Sequence, residues 1–234
     1  MPDFRAKESD ARLRAIAAFV RPGVRVADIG ADHAYLSLHL VRAGIAVSVI
    51  ATDIAEQPAA RARANLERAG LSEFIQVRRG DGLVPVAPDE VDDIVVAGMG
   101  GEQIADILRA CPWRNLPDKR WIFAPATRAR DLRAALPGLG LALTREAAVE
   151  ADGRVYTVML AQASGRPAPL TPLQACVGLL PQNPTAAAVR FVERERAYQK
   201  SDVRRQTTDE GRALVSELER TLTEMRAALT SEGT

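Results

Sequence analysis

Val26-Ala27-Asp28-Ile29-Gly30-Ala31-Asp32-His33-Ala34-Tyr35-Leu36 sets how the rest of the chain is read. An apolar run enters it, an acid-Ile-Gly turn follows, and a helix-forming stretch leaves it. This is the strand–turn–helix unit that opens a doubly wound α/β domain onto a nucleotide-like ligand at the carboxyl end of its first strand. A dinucleotide fingerprint would need two more glycines, where Asp32 and Tyr35 stand instead. A loop cradling pyrophosphate is therefore disfavoured, and an NAD-dependent enzyme with it. A carboxylate at Asp28 would repel pyrophosphate. It can neutralise a cationic amino-acid end, which points to S-adenosylmethionine.

Strand and helix patterns alternate on either side of this segment. Extended runs at 24–29, 47–52, 74–77, 93–96 and 121–124 are separated by helical patterns at 33–42, 58–69, 102–110 and 129–136. Pro58 near the first turn of its helix and Gly70 just past the end are the expected punctuation. Two late runs, 141–149 and 155–161, are joined by Ala151-Asp152-Gly153-Arg154, a hairpin signal. The expected fold is α/β and Rossmann-like: a mostly parallel seven-stranded sheet, covered on both faces, with an antiparallel edge strand. A basic amphipathic helix is expected over 5–20, with Leu13, Ile16, Ala17 and Val20 on its apolar stripe. Composition shifts at Ser164 to a Pro- and Gly-rich linker, and a short piece at 173–180 carries Cys176. Two polar helices follow at 186–207 and 209–230, the second with Leu214, Leu218, Leu222, Met225 and Leu229 on one stripe. They predict an antiparallel, coiled-coil-like helical hairpin. The expected division is 1–163 as a cofactor-binding domain with an N-terminal helix, and 164–234 as linker plus hairpin.

Acids and glycines recur where the strands end. Asp28, Gly30, Asp32 and His33 follow the first strand, and Asp32 could instead cap the helix expected at His33. Asp53 ends the second strand, placed to accept ribose hydroxyls, with Ile54 beside it in the same cofactor set. Asp81 and Gly82 follow the third strand, where a carboxylate can accept an exocyclic amine of adenine and glycine permits close approach. Ala97-Gly98-Met99-Gly100-Gly101 ends the fourth strand, a side-chain-poor loop that lets a flat base approach the donor; Ala97, Gly98 and Met99 complete the cofactor set. Tyr35 and Gly100 are expected to face the substrate. The loop holds no cysteine for covalent attack on a pyrimidine.

The motifs at 27–36, Arg79-Gly80-Asp81-Gly82-Leu83 and 97–101 together resemble the bacterial tRNA adenine-N1 methyltransferases of the TrmK type, over most of the chain. The resemblance implies a class I methyltransferase fold and methyl transfer from S-adenosylmethionine to N1 of adenine 22 in tRNA, with the helical hairpin helping to hold the RNA. Two positions depart from the family pattern. Ser37 stands where proline is usual, and Ala124-Pro125-Ala126 stands where Gln-Pro-Asn is common, which removes an amide pair that could orient a base. Adenine N1 carries a free lone pair, so no general base is required. The product is cationic, and Asp32 is the candidate to stabilise its developing charge. The alternatives are a methyltransferase for another RNA position or a small molecule, and a non-catalytic module that binds S-adenosylmethionine or RNA.

The chain has 234 residues and a net charge of +1, so total charge announces no polyanion binder and any RNA contact must come from local patches. Candidate phosphate ligands are Arg5, Lys7, Arg12 and Arg14; Arg128, Arg130 and Arg133; and Arg190, Arg194, Lys200, Arg204 and Arg205 on the hairpin. Of these, Arg128, Arg130, Arg194 and Arg204 are the leading choices. Cys111 and Cys176 have no metal-ligand spacing and read as reduced thiols, so no metal is expected. Without a targeting segment or a bilayer-length apolar run, the chain reads as a cytoplasmic monomer with tRNA as its partner and no membrane association.

Overall fold

The computed structural model describes residues 10–165, 167–202 and 207–231. Arg5, Lys7, Val203, Arg204 and Arg205 lie outside them. Seven strands form one sheet: β1 (Val24–Ile29), β2 (Ala46–Asp53), β3 (Ile75–Arg79), β4 (Asp93–Ala97), β5 (Arg120–Ala124), β6 (Leu141–Ala151) and β7 (Arg154–Ala163), in the order β3-β2-β1-β4-β5-β7-β6. The pairs among β1 to β5 are parallel, while β7 runs antiparallel between β5 and β6. The antiparallel strand is thus one place in from the edge that β6 forms. Strand order reverses between β1 and β4, and at such a switch point the chain parts and leaves a crevice at the carboxyl ends.

Both faces of the central strands are covered by apolar packing, and β4 reads Ile94-Val95-Val96-Ala97 after its first residue, while β1 is apolar apart from Arg25 and Asp28. On one face Leu13 and Ile16 of α1 (Ala11–Ala17), Leu36, Leu38 and Leu40 of α2 (Tyr35–Arg42) and Leu66 of α3 (Glu56–Ala69) pack on Val26, Val49 and Val95. On the other, Ile104 and Leu108 of α4 (Gly101–Ala110) and Leu132 of α5 (Ala129–Ala135) pack on Ile29, Ile94, Val96, Trp121 and Phe123. The N-terminal segment is pinned at the opposite end of the sheet, where Asp93 accepts from the Arg21 backbone N at 2.9 Å and from its Nε at 2.8 Å.

Beyond the linker come α6 (Pro172–Val177), α7 (Ala186–Ser201) and α8 (Asp209–Ser231). Ion pairs Glu193–Arg226 and Arg196–Glu219 show α7 and α8 to be antiparallel, and Phe191, Val192, Leu214, Leu218 and Leu222 fill the seam. This hairpin does not stand free: its cluster packs against Ala129, Ala148 and Val155 of α5, β6 and β7. Arg133 corrects one expectation. Rather than meeting phosphates it is fully buried, paired with Glu146 at 2.7 Å and donating to the carbonyls of Ala175 and Cys176. The C-terminal segment covers it. Among the described residues no helix is long and apolar enough to cross a membrane, and no group of His, Cys, Asp or Glu side chains could hold a metal ion.

Candidate active site

The carboxyl ends of β1, β2, β3 and β4 bring most of the sequence-predicted residues to one rim. They line two adjoining clefts, of about 710 and 920 Å³. Asp53, Ile54, Asp81 and Gly82 line the first, with Leu83 and Trp113. Asp28, Asp32, His33, Tyr35, Ala97 and Gly98 line the second. Gly30 and Met99 line both. Gly30 adopts φ 72°, and a Cβ there would overlap the Met99 methyl. The left-handed backbone favours glycine here, and any larger residue would also have to displace the flexible Met99 side chain that lies across it at the junction.

The helix after β1 begins at Tyr35, not at His33, because Asp32 (φ 43°) and Ala34 (φ 56°) are left-handed. That geometry takes Asp32 out of the capping position, and α2 has no side-chain cap. The turn is held from outside instead. Gly30 and Ala31 donate their N–H groups to the Thr52 carbonyl at 2.9 and 3.0 Å, the Asp32 N–H donates to Asp53 Oδ2 at 3.3 Å, and Asn65 Nδ2 donates to the His33 carbonyl at 2.9 Å. Asp32 is left exposed, with one oxygen 3.6 Å from His33 Nε2, and the His33 and Tyr35 rings lie 5.3 Å apart. Asp53 also accepts from the Ala55 N–H at 2.9 Å, which leaves its outer lone pairs toward the first cleft.

Asp28 differs from the other acids in being only 3% exposed. Burial pushes its carboxyl up to about 6, against the opposing effect of a hydrogen bond from Ser37. That donor is one of the two positions where the chain departs from the pattern of the family it resembles. The other, Ala124-Pro125-Ala126, holds the glycine loop through backbone alone: Gly98 N–H donates to the Ala124 carbonyl at 3.0 Å and Ala126 N–H to the Met99 carbonyl at 2.8 Å. The lost amide side chains therefore leave the loop's scaffold in place. At Gly101 a Cβ would overlap the Arg128 carbonyl, so this glycine permits the close approach of α5's first turn.

The basic residues are distributed unevenly. Arg128, beside Gly100 and Gly101, pairs with Glu102 at 2.6 Å and Asp131 at 3.5 Å. Arg130 donates to Gln199 on α7, Arg194 donates to the Val155 carbonyl at 2.6 Å, and Arg190 pairs with Glu150 at 2.6 Å. Sequence reasoning missed the far wall of the second cleft, where Asp10 and Arg12, the latter expected only as a phosphate ligand, stand at the start of α1 and Glu150 and Asp152 at the tip of the β6–β7 hairpin. The Asp-Gly turn signalled only a hairpin; nothing local says that its tip folds over β1. Trp113 in the first cleft was missed likewise.

This donor set fits S-adenosylmethionine. A buried carboxylate suits an ammonium group, a half-exposed one with free lone pairs suits a ribose diol, and Ile54 and Val84, 63% and 83% exposed at the first cleft's rim, offer apolar surface to a flat ring. Similarity to known proteins agrees. The methyltransferase domain family matches residues 9–159. The tRNA (adenine(22)-N(1))-methyltransferase of Bacillus subtilis is 37% identical over 169 residues, 72% of this chain and 71% of its own length. The crystal structure of the B. subtilis M1A22 tRNA methyltransferase TrmK superposes with a TM-score of 0.76 at 30% identity, covering 93% of this chain and 97% of that one. That of Sp1610 from Streptococcus pneumoniae, in complex with S-adenosyl-L-methionine, gives 0.77 at 32%, covering 92% and 97%. The match therefore runs from the sheet through the helical hairpin, and the chain belongs to the tRNA (adenine(22)-N(1))-methyltransferase family.

Proposed function

We propose that this chain transfers the methyl group of S-adenosylmethionine to N1 of adenine 22 in tRNA, acting as a cytoplasmic monomer built of residues 1–163 and 164–234. The observation that carries the reading is the meeting of two clefts at Gly30 and Met99, one equipped for an adenosine and the other acidic and open. S-adenosylmethionine supplies an electrophilic methyl on a sulfonium centre. Asp53 accepts the ribose hydroxyls, Asp81 and Gly82 meet the adenine edge, Ile54 packs on its face, and Asp28 holds the amino-acid end. Gly30, Ala97, Gly98 and Met99 form the floor between the clefts.

The acceptor enters the second cleft as an unstacked base, with Tyr35 as its aromatic wall and Gly100 allowing close approach, while His33 stays with the cofactor set. Because N1 attacks with its own lone pair, the residues supply alignment and exclusion of water rather than a base. Asp32, beside His33, stabilises the positive charge the ring acquires. Arg128, Arg130, Arg194 and Arg204 hold flanking phosphates. Incubating the full chain with labelled S-adenosylmethionine and unmodified tRNA, then digesting to nucleosides for mass spectrometry, tests this. N1-methyladenosine is expected, and a transcript carrying guanosine at position 22 should stay unlabelled. A second reading, another RNA position, is favoured by the missing amides at Ala124-Pro125-Ala126 and would show as a different methylated nucleoside. Cofactor binding without transfer to any tRNA would instead mark a binding module.

A further inference from the structure

Ser37 sits on the buried side of α2, and its Oγ donates to Asp28 Oδ2 at 2.7 Å. Ser37 is 0% exposed and Asp28 3%. A helical serine ordinarily returns its hydroxyl to the carbonyl four residues back. Here that carbonyl, of His33, already accepts from Asn65 Nδ2 at 2.9 Å. The Ser37 hydroxyl instead donates to the Asp28 carboxylate at the end of β1. We infer that Ser37 is a positioning residue for the methyl donor, fixing one Asp28 oxygen so that the carboxylate is presented to the donor's ammonium group in the second cleft. The inference rests on the reading of Asp28 as a ligand of that group.

Electrostatics give the contact a second role. Desolvation favours the neutral acid, while a hydroxyl donated to a carboxylate favours the charged form. Burial raises Asp28, the Ser37 hydroxyl lowers it and the Ser37 backbone N–H lowers it further, and together they leave it at about 6. Its partners in register on the adjacent strands, Ala51 and Val95, are uncharged. The other ionisable groups around the cleft are Asp10 and Arg12 on α1, Asp32, His33 and Tyr35 after β1, and Glu150 and Asp152 at the hairpin tip. Of the two hydrogen bonds Ser37 gives Asp28, the larger comes from the hydroxyl, so removing the hydroxyl while the backbone N–H stays shifts ionisation to higher pH.

The test is calorimetric titration of S-adenosylhomocysteine, which shares the amino-acid end, into the wild type, Ser37→Ala, Ser37→Thr and Asp28→Asn between pH 5.5 and 8.5. The ligand's own amino group titrates identically against all four proteins, so ratios to wild type isolate the protein. Loss of one charge-assisted hydrogen bond, about one pKa unit, gives Ser37→Ala a deficit of roughly five- to tenfold near pH 5.5–6 that closes to less than about twofold at pH 8. Ser37→Thr keeps the hydroxyl and should follow the wild-type profile. A Ser37→Ala deficit that is absent, or equal at every pH, overturns the positioning role while leaving Asp28 as a ligand. Undiminished binding by Asp28→Asn overturns the assignment of Asp28 itself.

Discussion

Asp28 is a carboxylate that the folded chain must hold away from water, and burial pushes it up to about 6. In the unfolded chain the same group ionises near 3.8. A raised carboxyl favours the fold fully below the lower value and loses that contribution as pH rises through the upper one. At pH 7.5 the folded chain without ligand therefore carries a charge it would be more stable without, by roughly 2–3 kcal/mol. Asp28→Asn keeps the shape and removes the charge. We expect it to raise unfolding free energy in urea by roughly 1–3 kcal/mol at pH 7.5 and by little near pH 4. Equal stability of the two proteins at pH 7.5 would mean that Asp28 is better solvated than its burial indicates. By contrast, the Arg25–Asp92 and Arg78–Glu90 pairs hold their acids down at about 2 but are partly exposed, so they add little at neutral pH.

The join between the sheet and the C-terminal helices depends on one buried group. Glu146 on β6 accepts from Arg133 of α5 at 2.7 Å, from Thr157 on β7 at 2.5 Å, and from the Leu179 N–H at 2.9 Å. Arg133 completes the bridge by donating to two carbonyls of α6. Glu146→Ala strands the guanidinium without its counter-charge and should cost about 3–5 kcal/mol, read from urea unfolding. Loss of less than about 1 kcal/mol would place the pair among surface bridges. Sequence patterns could not reveal this site, since an arginine on a short helix reads as solvent-facing until a segment some forty residues later covers it. The same locality explains what was readable. Hydrophobic runs and glycine-bearing turns are properties of neighbours in the chain, and they placed every strand and the Asp28–Gly30, Asp53, Asp81 and Gly98–Met99 rim. What they could not give was contact between distant elements: the left-handed Asp32 and Ala34, held by Thr52, Asp53 and Asn65, and the cleft wall that Asp10 and Glu150 supply from positions far apart in the chain.

Charge is arranged across the molecule in pairs, which bears on how RNA is held. The net charge is +1, and Arg128, Arg190 and Arg194 each already meet an acceptor of the protein. A phosphate must therefore compete with Glu102 for Arg128 and with Glu150 for Arg190. Arg190 is also the arginine that ties α7 to the hairpin tip walling the second cleft. With about four phosphates engaged, the slope of log affinity against log salt for tRNA should lie near −3 to −4, while S-adenosylhomocysteine binding should hardly respond. Charge reversal at Arg194 should weaken all tRNAs alike and flatten that slope by about one, because a phosphate contact positions RNA without reading its sequence. Filter binding between 50 and 300 mM salt (about an eight- to sixteenfold loss of affinity per doubling of salt) measures both slopes. An Arg194→Glu protein with an unchanged slope would remove this arginine from the RNA surface and leave it as a brace between α7 and β7.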